Sequence, residues 1–192
     1  MKTTLTLFAA LLLVGCAGKA PPDHELYLLR SDSANRFDAG DQTATIGIGS
    51  LRVASYLDQP GLVLETSDGS INAGRYNQWA EPLRESLRSV LANDIANATG
   101  KPVRARSYGE TNWKLHTKQL IDVSIEQMHG TAQGQATLVA YWAIIDPNAR
   151  SIVSEHEFSA TQLLSTSGYP ALVEAHKQLL QSLANKIADS LE

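Results

Sequence analysis

The 192-residue sequence predicts an α+β domain, an α/β sandwich in which a mainly antiparallel sheet is packed by two long amphipathic helices. Three observations lead there. Gln119 to Leu164 alternates and turns like a three-stranded antiparallel meander. Leu83, Leu87, Val90, Leu91 and Ile95 form one apolar stripe at a 3.6-residue period. Leu172, Val173, Leu179, Leu180, Leu183, Ile187 and Leu191 form a second, stronger stripe. Two such helices need an apolar sheet face to cover, and one dominant sheet supplies it.

The elements read as follows. Leu26-Tyr27-Leu28-Leu29 is a short strand, and residues 31–44 are a polar loop. Thr45 to Val53 alternates, with glycines at 47 and 49 that suit a bulge or close backbone approach. Asp58-Gln59-Pro60-Gly61 is a turn. Leu62-Val63-Leu64 is a second strand expected to pair with the first, and Ser67-Asp68-Gly69-Ser70 turns again. Pro82 sits where a helix tolerates proline, and Gly100 is placed to end that helix, with Pro102 barring its resumption. Val103 to Tyr108 is a short strand, and Gln119 to Met128 places Ile121, Val123 and Ile125 on one face. Residues 129–134 read as a loop, and Ala136 to Ile145, apolar on both faces, as a central strand holding Tyr141 and Trp142 in the core. Asp146-Pro147-Asn148 turns the chain into Ser151 to Leu164, and Pro170 opens the last helix.

The first residues carry targeting information. Met1-Lys2 precedes an apolar run, Leu5 to Val14. Spanning a ~30 Å hydrocarbon core takes ~20 residues, so this run has the length of a secretory core segment rather than a membrane span. It ends Leu13-Val14-Gly15-Cys16-Ala17-Gly18, which resembles a bacterial lipobox, and Cys16 is the only thiol in the chain. Lipid attachment at Cys16 is the expectation, the rival being an incidental or buried cysteine. Lipoproteins of this class carry three acyl chains; at ~0.8 kcal/mol per buried CH₂ that anchor is durable. Ala17 rather than Asp after the cysteine resembles outer-membrane sorting toward the periplasmic face. The expected organisation is residues 1–15 as signal peptide, 16–25 as lipidated tether and 26–192 as the folded domain.

Chemistry is sparse. The formal charge is −4, with 16 Lys plus Arg against 20 Asp plus Glu, which disfavours a nucleic-acid partner. The five histidines, 24, 116, 129, 156 and 176, show no metal-ligand spacing. Glu155-His156-Glu157 would alternate on a strand, so the three side chains diverge. No Gly-x-Ser-x-Gly elbow is present, and Ile46-Gly47-Ile48-Gly49 lacks the third glycine of a dinucleotide fingerprint. Neither catalytic residues nor a cofactor are expected.

One segment carries a resemblance. Ile46-Gly47-Ile48-Gly49, Val53-Ala54-Ser55-Tyr56-Leu57-Asp58, Leu62-Val63-Leu64 and Trp79-Ala80-Glu81-Pro82-Leu83 together resemble the ABC-type transport auxiliary lipoproteins, in particular their PqiC (YmbA) branch. Gln59 stands where members often carry arginine, so no role for that cation carries over. The resemblance implies a fold similar to the TolB N-terminal domain and a homo-oligomer. It also implies a non-catalytic docking role in an MCE-type lipid-transport system between the two membranes. The implied partners are the MCE-domain protein PqiB and the inner-membrane protein PqiA. The alternative function is a lipid-anchored periplasmic hydrolase or another envelope scaffold. Tyr56, Leu57, Asp58 and Trp79 are the candidate partner-binding residues. For the apolar ones the competing reading is packing: Trp79 as a core or staple residue four positions before Leu83, Tyr56 and Leu57 as a lid on the core. Glu81 suits the positive end of the following helix.

Overall fold

A computed structural model describes residues 23–32, 45–105 and 117–191. Among the described residues, eight strands form one sheet, and two helices cover one of its faces. The strands are β1 (Glu25–Tyr27), β2 (Ile46–Val53), β3 (Gly61–Glu65), β4 (Ile71–Trp79), β5 (Val103–Ala105), β6 (Gln119–Thr131), β7 (Gln135–Asp146) and β8 (Ser151–Leu163). The helices are α1 (Leu83–Thr99) and α2 (Tyr169–Asp189). The α+β class predicted from the sequence is the one observed.

β6, β7 and β8 make the expected meander, and these two antiparallel ladders are the longest in the sheet. Along β7, Ala136, Leu138, Ala140, Trp142 and Ile144 are buried and face the helices, as do Ile121, Val123 and Ile125 of β6. The helical stripes meet them: Leu87, Leu91 and Ile95 of α1 and Leu172, Leu180, Leu183 and Ile187 of α2 are almost fully buried. Trp142 Nε1 donates to Ser190 Oγ at 3.0 Å, tying the central strand to the end of α2. Gly100 closes α1 at φ 64°, the left-handed conformation that spares glycine a side-chain clash.

Four expectations need correction. β2 and β3 do not pair with each other. Both lie parallel along the same edge of β6, Ile46 to Val53 beside its first half and Leu64-Glu65 beside Gly130-Thr131. The Asp58–Gly61 turn is therefore an excursion from one interrupted edge, because β6 is long enough to seat both strands. The hairpin partner of β3 is β4, a strand with no sequence expectation behind it. β4 is polar and mostly exposed over its first half, so no alternation marks it. His129 to Thr131 continues β6, with only 132–134 forming the turn to β7. Tyr141 points to the face opposite the helices and is 47% exposed, so the alternation that buries Trp142 expels it.

The glycine at 49 sits at a register shift between Ile48 and Leu51, where Ser50 N donates to Asp122 Oδ1 at 2.7 Å. Gly61 is more constrained. A Cβ there would lie 2.7 Å from Gly74 O and 2.9 Å from Gly74 N, both backbone atoms that no side-chain rotation can move aside. Gly61→Ala is expected to destabilise the protein by about 1–3 kcal/mol. Urea unfolding followed by circular dichroism checks it; an unchanged midpoint would show that the β3–β4 pair opens freely.

Candidate functional site

The resembling segment folds into a cleft at the end of β4. After β2, Ala54 N still bonds Ile125 O at 2.9 Å, and the chain then leaves the sheet in a short 3-10 turn, Ser55–Leu57. Leu57 drops into the core at 1% exposure. Tyr56 goes the other way: its hydroxyl donates to Glu126 O at 3.2 Å, and its ring lies 6.4 Å from that of His129. Burial pushes the Tyr56 phenol above its ordinary pKa. The side-chain amide of Gln59 donates back to Tyr56 O, closing the turn.

Opposite stands the passage from β4 into α1. Trp79 N donates to Pro60 O at 2.8 Å, and Ala80 N donates to Tyr27 O at 2.8 Å, so one junction ties the end of β4 to β1 and to the residue before β3. The Trp79 side chain is 8% exposed. Between the two walls lies a cavity of about 330 Å³ lined by Asp58, Gln59, Pro60, Trp79, Glu81 and Leu83, among others. Arg84 Nη2 and Asp58 Oδ2 pair across its rim at 2.7 Å. Both side chains are about half exposed, so the pair contributes at most ~1 kcal/mol to stability. Glu81 Oε1 accepts the hydroxyl of Ser86 at 2.7 Å, satisfying a buried polar group in the first turns of α1.

The structure thus brings Asp58 and Trp79 together, turns Tyr56 toward β6 and buries Leu57. Cys16 lies outside the described residues. The sequence does not point to Arg84, which lies 26 residues from Asp58, because no local pattern links positions that far apart. Pro60 and Pro82 were legible only as turn and helix-start residues.

An apolar hollow with a charged rim is suited to gripping a side chain or a peptide edge. It holds no nucleophile paired with a base. Elsewhere, His156 stacks on Trp142 with ring centroids 5.0 Å apart, and its Nε2 lies 2.8 Å from Ser154 Oγ. Glu155 and Glu157 flank it on the exposed side of β8. Among the described residues no cluster of His, Cys, Asp or Glu is arranged to hold a metal ion, and no helix is long and apolar enough to cross a membrane.

Comparison with known proteins agrees with the resemblance seen in the segment. The chain is 23% identical over 193 residues to the intermembrane transport lipoprotein PqiC of Escherichia coli (strain K12), covering 100% of this chain and 98% of that one. A crystal structure of an uncharacterized protein superposes with a TM-score of 0.72 at 18% identity, over 89% of this chain and 100% of the other. A Xanthomonas campestris protein superposes with a TM-score of 0.67 at 14% identity, over 85% and 92% of the two chains. The family described as ABC-type transport auxiliary lipoprotein component matches residues 27–188. The chain belongs to that family, the auxiliary lipoproteins of transport systems.

Proposed function

We propose that the protein is anchored in the outer membrane through lipid on Cys16. There it faces the periplasm and works as a non-catalytic docking component of an MCE-type lipid-transport system. The observation that carries the docking role is the cleft between Asp58–Pro60 and Trp79–Leu83, which combines an apolar floor with a charged rim. Its walls are the residues by which the chain resembles its family. The similarity to an intermembrane transport lipoprotein along the whole chain supports the same reading. By that similarity the partner is a PqiB-like MCE-domain protein, with a PqiA-like protein in the inner membrane, and the working form is a homo-oligomer.

Two experiments test it. Cys16→Ser is expected to release the protein from the membrane fraction while its circular dichroism stays native. Retention of the variant in the outer membrane would remove the anchor from the proposal. Affinity capture of the native lipoprotein from gently solubilised envelopes is expected to recover an MCE-domain protein. Capture without one would overturn the docking role.

A further inference from the structure

The direction in which the chain enters the sheet bears on which end of the molecule faces its membrane. β1 runs parallel to β4, with Glu25 beside Asn77 and Tyr27 beside Trp79. Following the chain back from Glu25 therefore leads along β4 toward that strand's own beginning, and the ring of His24 meets that of Tyr76 at 5.4 Å. β4 bulges between Gln78 and Ala73, which face Gly61 and Val63 of β3, so its leading end at Ile71, level with Glu65, is only about 14 Å from Gln78. The chain from Cys16 to Asp23 reaches at most about 25 Å when fully extended. That reach exceeds the remaining length of β4, so with lipid on Cys16 the leading end of β4 can sit at the bilayer surface.

Three segments share that end: the β3–β4 turn, the β6–β7 turn and the link from β8 into α2. Leu64 is level with Gly130, and Gln135 with Leu163, so their tips lie together. Their chemistry suits a lipid interface. Residues 127–145 and 158–173 contain no Asp, Glu, Lys or Arg. Leu163 is 68% exposed and Ile71 43%. A hollow of about 220 Å³ opens at this end, lined in part by Leu64, Leu164, Tyr169 and Leu172. The carboxylates at this end are Glu65 and Asp68, and Asp68 is turned into its own loop, accepting bonds from Thr66 and from the amide and hydroxyl of Ser70. Few charged groups would therefore lose water as this end approached lipid. At the opposite end, the β7–β8 turn carries Asp146 and Arg150, and Lys118 precedes β6.

We propose that the end bearing Ile71, Leu163 and the Leu164–Tyr169 hollow is a bilayer-contacting surface that seats at the headgroup boundary of the membrane holding the Cys16 lipid. The Asp58–Trp79 cleft then stands off that membrane, since Gln78, beside Trp79, is level with Gly61 and Ile71 with Glu65, four β3 residues or about 14 Å apart. The bilayer and a soluble partner would engage different ends of one rigid sheet. This inference rests on the lipid attachment proposed above, and its test separates the two.

Once Cys16 is acylated the chain has no other thiol, so a single introduced cysteine can carry a bimane label. The acylated variants Ile71→Cys, Leu163→Cys, Val153→Cys and Leu26→Cys are placed in phosphatidylethanolamine/phosphatidylglycerol vesicles whose acyl chains are brominated. Val153, 64% exposed, is a matched control for Leu163 at the far end of the same strand. Labels at 71 and 163 are expected to be quenched at least twofold more than the label at 153. Equal quenching at 153, or strongest quenching at Leu26 on the β1 edge, would overturn the orientation. So would vesicle-bound protein with no quenching anywhere, and in that case the anchor would stand. Failure of every labelled protein to float with vesicles would remove the anchor, and the orientation with it.

Discussion

Trp79→Ala lowers the unfolding free energy of the full chain by about 3–5 kcal/mol, the range expected when a buried aromatic side chain leaves a cavity. Trp79 ends β4 where that strand is held to Pro60 on one side and, through Ala80, to Tyr27 on the other. Its ring is buried in the core cluster that also contains Leu57 and Leu83. Loss of the ring removes the filling between an edge of the sheet and the start of α1, so β1, the 55–60 turn and α1 loosen together. Trp79→Phe keeps most of the apolar area and is expected to cost well under half as much. Urea unfolding of the three proteins measures this, and a loss below ~1 kcal/mol for the alanine variant would show that the junction is not held by packing. Docking is separated from folding by a second pair of variants. Asp58→Ala and Arg84→Ala remove a solvent-exposed ion pair and are expected to cost less than ~1 kcal/mol in stability. Weaker partner capture by these stable variants would be assigned to the cleft rather than to unfolding.

The sequence made some parts of this architecture plain and hid others for definite reasons. α1 and α2 were legible because each buries a stripe at a helical period and each has a proline at its start; Gly100 marked the end of α1 to the residue. The meander was legible because β6 and β7 bury alternate residues against the helices. β4 was hidden because Ile71-Asn72-Ala73 lies exposed near an edge of the sheet, where no core face enforces alternation. The placement of β2 and β3 was hidden because a sequence shows that two strands flank a turn but not that a third strand is long enough to seat both. In the site, Trp79 and Asp58 could be named from local motif alone. That they share a cleft, and that Arg84 reaches Asp58 across it, depends on tertiary closure of segments some twenty residues apart.

Acidification is expected to destabilise the protein through one residue that no motif singled out. His176 lies on α2 with 2% exposure among Leu172, Leu179 and Leu180, and its Nδ1 has no hydrogen-bond partner. Burial, aided by the nearby His129, pushes its pKa down to about 3 from the ordinary 6.5. The imidazole is therefore neutral when folded and gains a proton on unfolding between those two values. Because the unfolded chain binds more protons across that window, stability rises with pH there and falls as pH drops. Above about pH 6.5 the contribution is constant. By pH 5 the loss is about 2 kcal/mol, and by pH 3.5 about 4 kcal/mol, from 1.36 kcal/mol per unit of pH. Asp94 acts in the opposite sense: burial raises its carboxyl pKa, so its proton is favoured in the folded state and its contribution improves with acid. The His176→Leu variant isolates the histidine, since it leaves Asp94 in place and fills a similar apolar volume. Urea midpoints measured at pH 7.5, 6 and 5 are expected to fall for the parent protein and to stay nearly level for His176→Leu. Parallel declines in the two proteins would mean that acid acts through other groups and that the His176 imidazole accepts its proton without leaving the core.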